Sequence, residues 1–318
     1  MKSMKSQMVV ALVSLLLWGA SFAVAIPYQD KTLPTDPPTT IQDIQTDAPN
    51  IESSGNWDLD WSGVYNYKGS SAVAIDSHWL LTAAHVADDG GTGVFTVEGT
   101  IYTPQGLPLY YNGTTAGSTT SSTDKNEATA DLALVRFDNA FPTVYDYKTT
   151  TSFSDRFDDV ILVGYGYGGE VMQDDSSGSW NQDGNSDKIK RWGTNNIDQY
   201  STWNVDSTYE HDPAWPTDLP SINTMGMYKA TISETDDFYN TDYETGFNTG
   251  DSGGPMFVKD GDEWIVAGIN ILALASSGTT YSVAVGDYDE WVTATVPEPA
   301  TMSLLALGGI AMLRRRKK

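Results

Sequence analysis

Between Trp57 and Thr295 the chain is written in short apolar runs, each cut off by Gly, Asn or Asp. This texture constrains the fold more than any other feature. Ser71–Ile75, Trp79–Thr82, Gly93–Val97 and Leu132–Phe137 are such runs, and so are Val160–Tyr165, Met227–Ile232, Trp264–Ile271 and Tyr281–Val285. They are short, rich in β-branched and aromatic residues, and bounded by turn formers, which reads as strands. The pattern predicts an all-β chain of barrels or sandwiches. One short helix is expected at Asp287–Ala294, and no internal repeat is visible.

Residues 168–222 break that rhythm. The stretch Asp174 to Asp187 is very polar, and Asp183, Asn185 and Asp187 alternate as oxygen ligands for Ca²⁺ can. The spacing is not that of an EF-hand loop and no glutamate closes it, so a solvated surface insertion is expected. Residues 26–56 are rich in Pro, Thr, Asp and Gln with little apolar periodicity, and read as a linker or propeptide.

The two ends read as addresses. Residues 1–25 carry Lys2 and Lys5, an apolar run from Met8 to Leu17 and the small-x-small triplet Ala23-Val24-Ala25, the layout of a secretory signal peptide. A retained membrane anchor is the other reading. At the opposite end, Val296-Pro297-Glu298-Pro299 precedes an apolar stretch, Ala300 to Leu313, and five cations, Arg314 to Lys318. The apolar stretch is shorter than the roughly 20 residues of a stable span. These three parts, in this order, resemble the PEP-CTERM sorting signal. The resemblance implies an exosortase-type partner that cuts near Pro-Glu-Pro in a Gram-negative-type cell envelope. It also implies transient membrane contact through 300–313, although an ordinary C-terminal transmembrane anchor would show the same apolar stretch.

Charge and cysteine content exclude whole classes of function. The chain has 18 Lys plus Arg against 42 Asp plus Glu, a net charge of −24. Seven of the basic residues are Lys2, Lys5 and the five tail cations, so between Lys5 and Arg314 11 basic residues face all 42 acids, a formal charge of −31. Such a surface repels nucleic acid and favours a soluble monomer. Cysteine is absent, so no disulfide, thiolate nucleophile or Cys-ligated zinc is available. Export without cysteine points to a bacterial protein held together by packing alone. The only histidines are His78, His85 and His211, and no metal or other cofactor is called for.

Three segments carry chemistry. Leu80-Leu81-Thr82-Ala83-Ala84-His85-Val86 ends a strand with small residues and projects one imidazole. By itself such a histidine is as much at home in a core as in catalysis. In Ala130-Asp131-Leu132-Ala133-Leu134-Val135 an acid heads an apolar strand. A carboxylate there is costly to bury unless paired, and an imidazole N–H would pair it, though a strand-edge aspartate needs no such role. In Asn248-Thr249-Gly250-Asp251-Ser252-Gly253-Gly254-Pro255 glycines flank a serine, so the backbone can approach a substrate closely. The Gly250 and Ser252 N–H groups could then converge on one oxyanion.

TAAH, DLAL and GDSGGP, in this order, resemble the trypsin/chymotrypsin-like serine peptidases over about residues 57–295. The resemblance implies two packed six-stranded β-barrels with a short C-terminal helix. The first, over 57–150, would carry His85 and Asp131, and the second, over 151–295, Ser252; the sorting segment 296–318 follows. It implies Ser252 as nucleophile, His85 as general base and acid, Asp131 as its orienting acceptor, and Gly250 and Ser252 as the oxyanion donors. The activity implied is exported serine endopeptidase on polypeptides through an acyl-enzyme. Two alternatives stay open: a catalytically silent peptidase-fold binding or matrix protein of the cell envelope, and an esterase using the same triad.

The sequence departs from the family pattern in three ways. In the family the acid at Asp251 commonly pairs with a new N-terminal ammonium, yet no Ile/Val-Val-Gly-Gly start stands near 55–65, and Trp61-Ser62-Gly63-Val64 is a poor substitute. The disulfides are missing. Asn270-Ile271-Leu272-Ala273 replaces the Ser-Trp-Gly edge. The resemblance places the specificity pocket at Gly246, Ile271 and Ala273; Gly246 at its floor favours a neutral or apolar side chain, with Asp242 and Glu244 nearby.

Overall fold

A computed structural model of the chain describes residues 59–113, 118–152, 155, 158–166, 169–171, 180–182, 190–203, 225–231, 245–274 and 279–296. The expected signal peptide, the linker up to residue 56, the Asp183–Asp187 alternation, Asp242, Glu244 and the sorting segment from Pro297 lie outside the described residues.

The first sheet is built by β1 (Val64–Tyr67), β2 (Ser70–Asp76), β3 (Trp79–Thr82), β6 (Leu109–Tyr111), β7 (Ser121–Ser122) and β8 (Ala133–Arg136). Its order is β1-β2-β3-β8-β6-β7. The β1–β2 turn is two residues long, Tyr67 facing Ser70, and both turn residues have positive φ, Lys68 at 53° and Gly69 at 78°. That geometry matches the right-handed twist of the flanking strands. The same device joins β4 (Phe95–Val97) to β5 (Thr100–Tyr102), with Glu98 at 48° and Gly99 at 83°. This hairpin closes over an aromatic nest in which Phe95 stacks on Tyr102 at 5.2 Å and Tyr102 on Phe141 at 4.9 Å.

The second sheet has seven strands: β9 (Asp159–Gly164), β12 (Arg191–Asn196), β13 (Gln199–Trp203), β14 (Met225–Thr231), β15 (Pro255–Asp260), β16 (Glu263–Leu274) and β17 (Thr279–Ala284). They run in the order β12-β9-β15-β16-β17-β14-β13. A separate hairpin pairs β10 (Gly169–Val171) with β11 (Trp180–Gln182). The described residues are thus mostly β, as the strand rhythm implied; their two main sheets have six and seven strands, where the resemblance implied two six-stranded barrels. Every pairing between these described strands is antiparallel, and Tyr147 adds one isolated parallel bridge to Val266 of β16.

One expectation about the second sheet needs correction. Residues 191–196 and 199–203 fall inside the stretch read as a polar surface insertion, yet they form β12 and β13. Their polarity is deceptive because the amide N–H groups of the buried asparagines are engaged, although Asn196 Oδ1 has no partner among the described residues. Asn195 Nδ2 donates to Thr245 O at 2.7 Å, and Asn196 Nδ2 to Asp159 Oδ1 at 2.5 Å.

Two apolar clusters divide the core. One fills the first sheet and continues onto one face of the second, through Ile161, Val163, Phe257, Val266, Ile269 and Val283. The other lies on the opposite face of the second sheet, with Leu162, Phe247, Met256 and Ala267. The period-2 alternation of β9 and β16 supplies both faces, so these strands read as unbroken apolar runs.

The predicted C-terminal helix is present as α2 (Asp289–Thr295), entered through a short 3₁₀ turn at Val285–Tyr288. It carries the chain back to the first sheet. Trp291 is fully buried, meets Tyr111 edge-on at 5.6 Å, and donates from Nε1 to Ser121 Oγ at 2.7 Å. Tyr288 meets the same Tyr111 at 4.7 Å. The helix therefore bolts the end of the second sheet to β6 and β7 of the first.

Candidate active site

β3 ends at Thr82, and Ala83, extended at φ −71° and ψ 146°, turns the chain into α1 (Ala84–Asp88). Ala83 and Ala84 are fully buried; larger side chains would not fit there. Lys68 stabilises the end of this short helix by donating from Nζ to Ala87 O and Asp89 O, both at 2.6 Å. His85 projects from its first turn with 13% of its side chain exposed.

Asp131, just before β8, is 1% exposed and holds His85 at two points. Its Oδ2 lies 2.7 Å from His85 Nδ1, and its Oδ1 accepts the backbone N–H of His85 at 3.0 Å. The Asp131 N–H is spent on Met225 Sδ at 3.4 Å. With Nδ1 facing a carboxylate, the proton sits on Nδ1 and Nε2 is the basic nitrogen.

The Asn248–Pro255 loop lies between the two sheets. Gly250 (φ 107°) and Gly253 (φ 82°) hold backbone conformations that an L side chain resists. A Cβ on Gly253 would overlap Thr82 Oγ1 and Ser71 O and stand 3.2 Å from Ala83 N. The loop therefore touches the turn that leads to His85, two residues before the imidazole. On the first-sheet side Ser71 N donates to Ser252 O at 3.0 Å; on the β16 side Gly253 N donates to Asn270 O at 2.7 Å and Asn270 N to Gly254 O at 2.9 Å. Ser252 is buried at 8% exposure. Among the described residues its Oγ makes no hydrogen bond, and the N–H groups of Gly250 and Ser252 take no partner.

Residues 51–292 match the family Trypsin, and residues 295–317 match the PEP-CTERM protein-sorting motif. The chain belongs to the trypsin family. This trypsin-family chain is a serine endopeptidase with a C-terminal signal for sorting to the cell envelope in Gram-negative-type bacteria. None of the curated proteins matches it. Among solved structures it is similar to the Rv3671c protease in its inactive form, with 14% identity over 74% of this chain and 90% of that one, TM-score 0.45. It is also similar to a serine-to-alanine mutant of Rv3671c from M. tuberculosis H37Rv, likewise inactive, with 16% identity over 72% and 83%, TM-score 0.41.

Asp251 of this peptidase is fully buried and draws on backbone amides. Gly166 N donates to its Oδ1 at 2.5 Å and Asn248 N to its Oδ2 at 3.4 Å. Gly164 and Gly166 make the room, since a Cβ on either would overlap the carboxylate. Arg191 holds the turn from behind, donating to Gly166 O at 2.7 Å. The Gly164-Tyr165-Gly166 turn thus partners the acid for which the sequence offered no ammonium. Its paired glycines were the signal that could have found it.

The pocket residues fare unevenly. Gly246 is buried beside Phe247, and Ala273 clusters with Phe247. Ile271 does not share that face; its side chain belongs with Leu272 to the cluster on the other side of the sheet. A bulge between Asn270 and Leu272 breaks the alternation that would have aligned Ile271 with Ala273. Among the described residues no group of three or more His, Asp or Glu could hold a metal, and no helix is long and apolar enough to cross a membrane.

Proposed function

We propose that Ser252, His85 and Asp131 are the catalytic triad of an exported endopeptidase that cleaves polypeptides through an acyl-enzyme. The observation that carries this reading is the two-point hold of Asp131 on His85, beside the loop that presents Ser252. When substrate binds, Ser252 Oγ attacks the scissile carbonyl carbon and its proton passes to His85 Nε2. The imidazolium donates from Nδ1 to Asp131 Oδ2, whose charge stabilises it. The oxygen that becomes an alkoxide is met by the unspent N–H groups of Gly250 and Ser252, each lowering the barrier by about 3–4 kcal/mol. His85 then gives its proton to the departing amine, and a water deprotonated by the same nitrogen releases the acyl group.

The first barrel, 57–150, then supplies base and orienter, and the second, 151–295, the nucleophile. Gly246 and Ala273 bound a pocket for a neutral or apolar side chain. An exosortase-type enzyme acts on the 296–318 tail, after a signal peptide at 1–25 has directed export, and the mature peptidase works as a monomer.

A fluorophosphonate probe applied to the purified protein tests the triad. Labelling of wild type that vanishes in Ser252→Ala and His85→Ala is the expected result. A wild type that stays unlabelled while folded would remove the reading.

A further inference from the structure

Ser71 is a buried hydroxyl that the chemistry above does not use. It is the second residue of β2, fully buried, on the opposite side of the nucleophile loop from β16. Every polar group it owns is engaged around that loop. Its N–H donates to Ser252 O at 3.0 Å. Its Oγ–H donates to Gly250 O at 2.8 Å, and the same Oγ accepts the N–H of Tyr165 at 2.9 Å. Its carbonyl accepts Thr82 Oγ1 at 2.8 Å. One residue thus ties together the loop, the turn that cradles Asp251, and the strand end that leads to His85.

The pattern of engagement is selective. Gly250 and Ser252 give their carbonyls to Ser71 and keep their N–H groups unspent among the described residues. Each N–H lies in the peptide plane just before the one Ser71 holds, with a single Cα between them. Fixing the later plane restrains the rotation of the earlier one. Gly250, at φ 107°, is the place where a loop of this kind would otherwise flip, because glycine meets little resistance to rotation. A flip would strip the buried Gly250 carbonyl of its donor and leave Ser71 Oγ facing no acceptor, both costly.

We infer that Ser71 is a positioning residue for the oxyanion site, holding the Gly250 and Ser252 N–H groups in their catalytic orientation before substrate arrives. The inference rests on the reading of Ser252 as nucleophile. Serine suits the position on two counts. A side chain without the hydroxyl strands both Gly250 O and Tyr165 N. A bulkier one crowds Gly254, whose added Cβ would already stand 3.2 Å from Ser71 Cβ.

The test compares Ser71→Ala and Ser71→Cys with wild type in the full chain, by two independent readouts. The first is steady-state hydrolysis of a peptide anilide together with inhibition by a peptide boronate, which forms a tetrahedral adduct on the nucleophile. Misplaced donors should lower kcat of Ser71→Ala roughly 10²-fold with KM little changed, and weaken the boronate by a similar factor. Ser71→Cys, close in shape with a weaker hydrogen-bonding group, should fall between. The second readout is hydrogen exchange across residues 249–254, which needs no activity and should quicken in both variants. Wild-type kcat in folded Ser71→Ala, or unchanged exchange, overturns the inference. So does a loss confined to KM. If Ser71→Ala does not fold, Ser71→Cys decides by the same measures. An inactive wild type would mark failure of the triad reading instead, and the exchange readout would still decide on Ser71.

Discussion

Asp131 grips His85 by ring and backbone together, Oδ2 at 2.7 Å from Nδ1 and Oδ1 at 3.0 Å from the His85 N–H. Both carboxylate oxygens are spent as acceptors on one residue. Orientation of the imidazole therefore depends on a group that accepts at both ends.

Asp131→Asn replaces one of those acceptors with an NH₂ group. Whichever way the amide turns, a donor faces either Nδ1–H or the backbone N–H. The favoured response puts the proton on Nε2, the nitrogen that must receive one from Ser252. Turnover of a peptide substrate should fall roughly 10⁴-fold, with the thermal melt shifted only modestly. Near-normal turnover would show that Asp131 does not orient the base.

Gly164→Ala and Gly166→Ala each drive a methyl group into the Asp251 carboxylate. Asp251 must then leave the Gly166 N–H, and Ser252 is its next neighbour in the chain. Active-site titration should show kcat down roughly 10²-fold for a displacement near 1 Å. Gly90→Ala is the matched control: nothing lies within 4 Å of its added Cβ, so activity should stay at wild-type level. Equal activity in all three variants would sink the idea that this turn sets the loop.

Trp291→Ala empties a fully buried site at the joint between α2 and the first sheet. The expected cost is about 3–5 kcal/mol in urea unfolding. Trp291→Phe keeps most of the packing and loses only the bond to Ser121 Oγ, about 1 kcal/mol. A cost of Trp291→Ala below that of Trp291→Phe would mean the ring is not holding the sheets together.

Deleting 297–318 should leave hydrolysis untouched and change where the protein accumulates, because the described sheets end at Ala284 and α2 at Thr295. Cell fractionation of the truncated and complete chains, with activity assayed in each fraction, measures this. An unchanged distribution would remove the role of the tail.

What the sequence made legible was local. TAAH, DLAL and GDSGGP each place a reactive group within a few residues of the turn that presents it, and the runs Ser71–Ile75, Trp79–Thr82 and Tyr281–Val285 fall inside β2, β3 and β17 with at most one residue over. What stayed hidden depends on partners far along the chain. Ser71 reads as an ordinary strand serine, since its acceptor Gly250 lies 179 positions away. Asn195 reads as solvated until Thr245 O is folded against it. Ile271 and Ala273 look like face-mates under strict alternation, and only the bulge in β16 separates them.

Lys190 is half-buried between the rings of Trp61 and Tyr165, its Nζ 5.6 Å from each centroid and donating to Trp61 O at 2.9 Å. Burial lowers its pKa to about 8 from 10.5, with the Asp60 carboxylate opposing the shift. Below pH 8 the ammonium is charged in folded and unfolded chains alike, so the folded state bears the full desolvation cost. Between about pH 8 and 10.5 the folded chain releases the proton while the unfolded chain keeps it, so unfolding takes up a proton and rising pH favours the fold. Lys190→Met has no proton to release and keeps a flexible apolar stem between the rings. Its stability relative to wild type should therefore be highest near pH 7 and decline by at most about 3 kcal/mol as pH passes 10. Urea midpoints of both proteins at pH 7, 8, 9 and 10 give this difference, with the buried tyrosines common to both. A difference that stays flat across the range would mean that the ammonium is solvated and the rings do not enclose it.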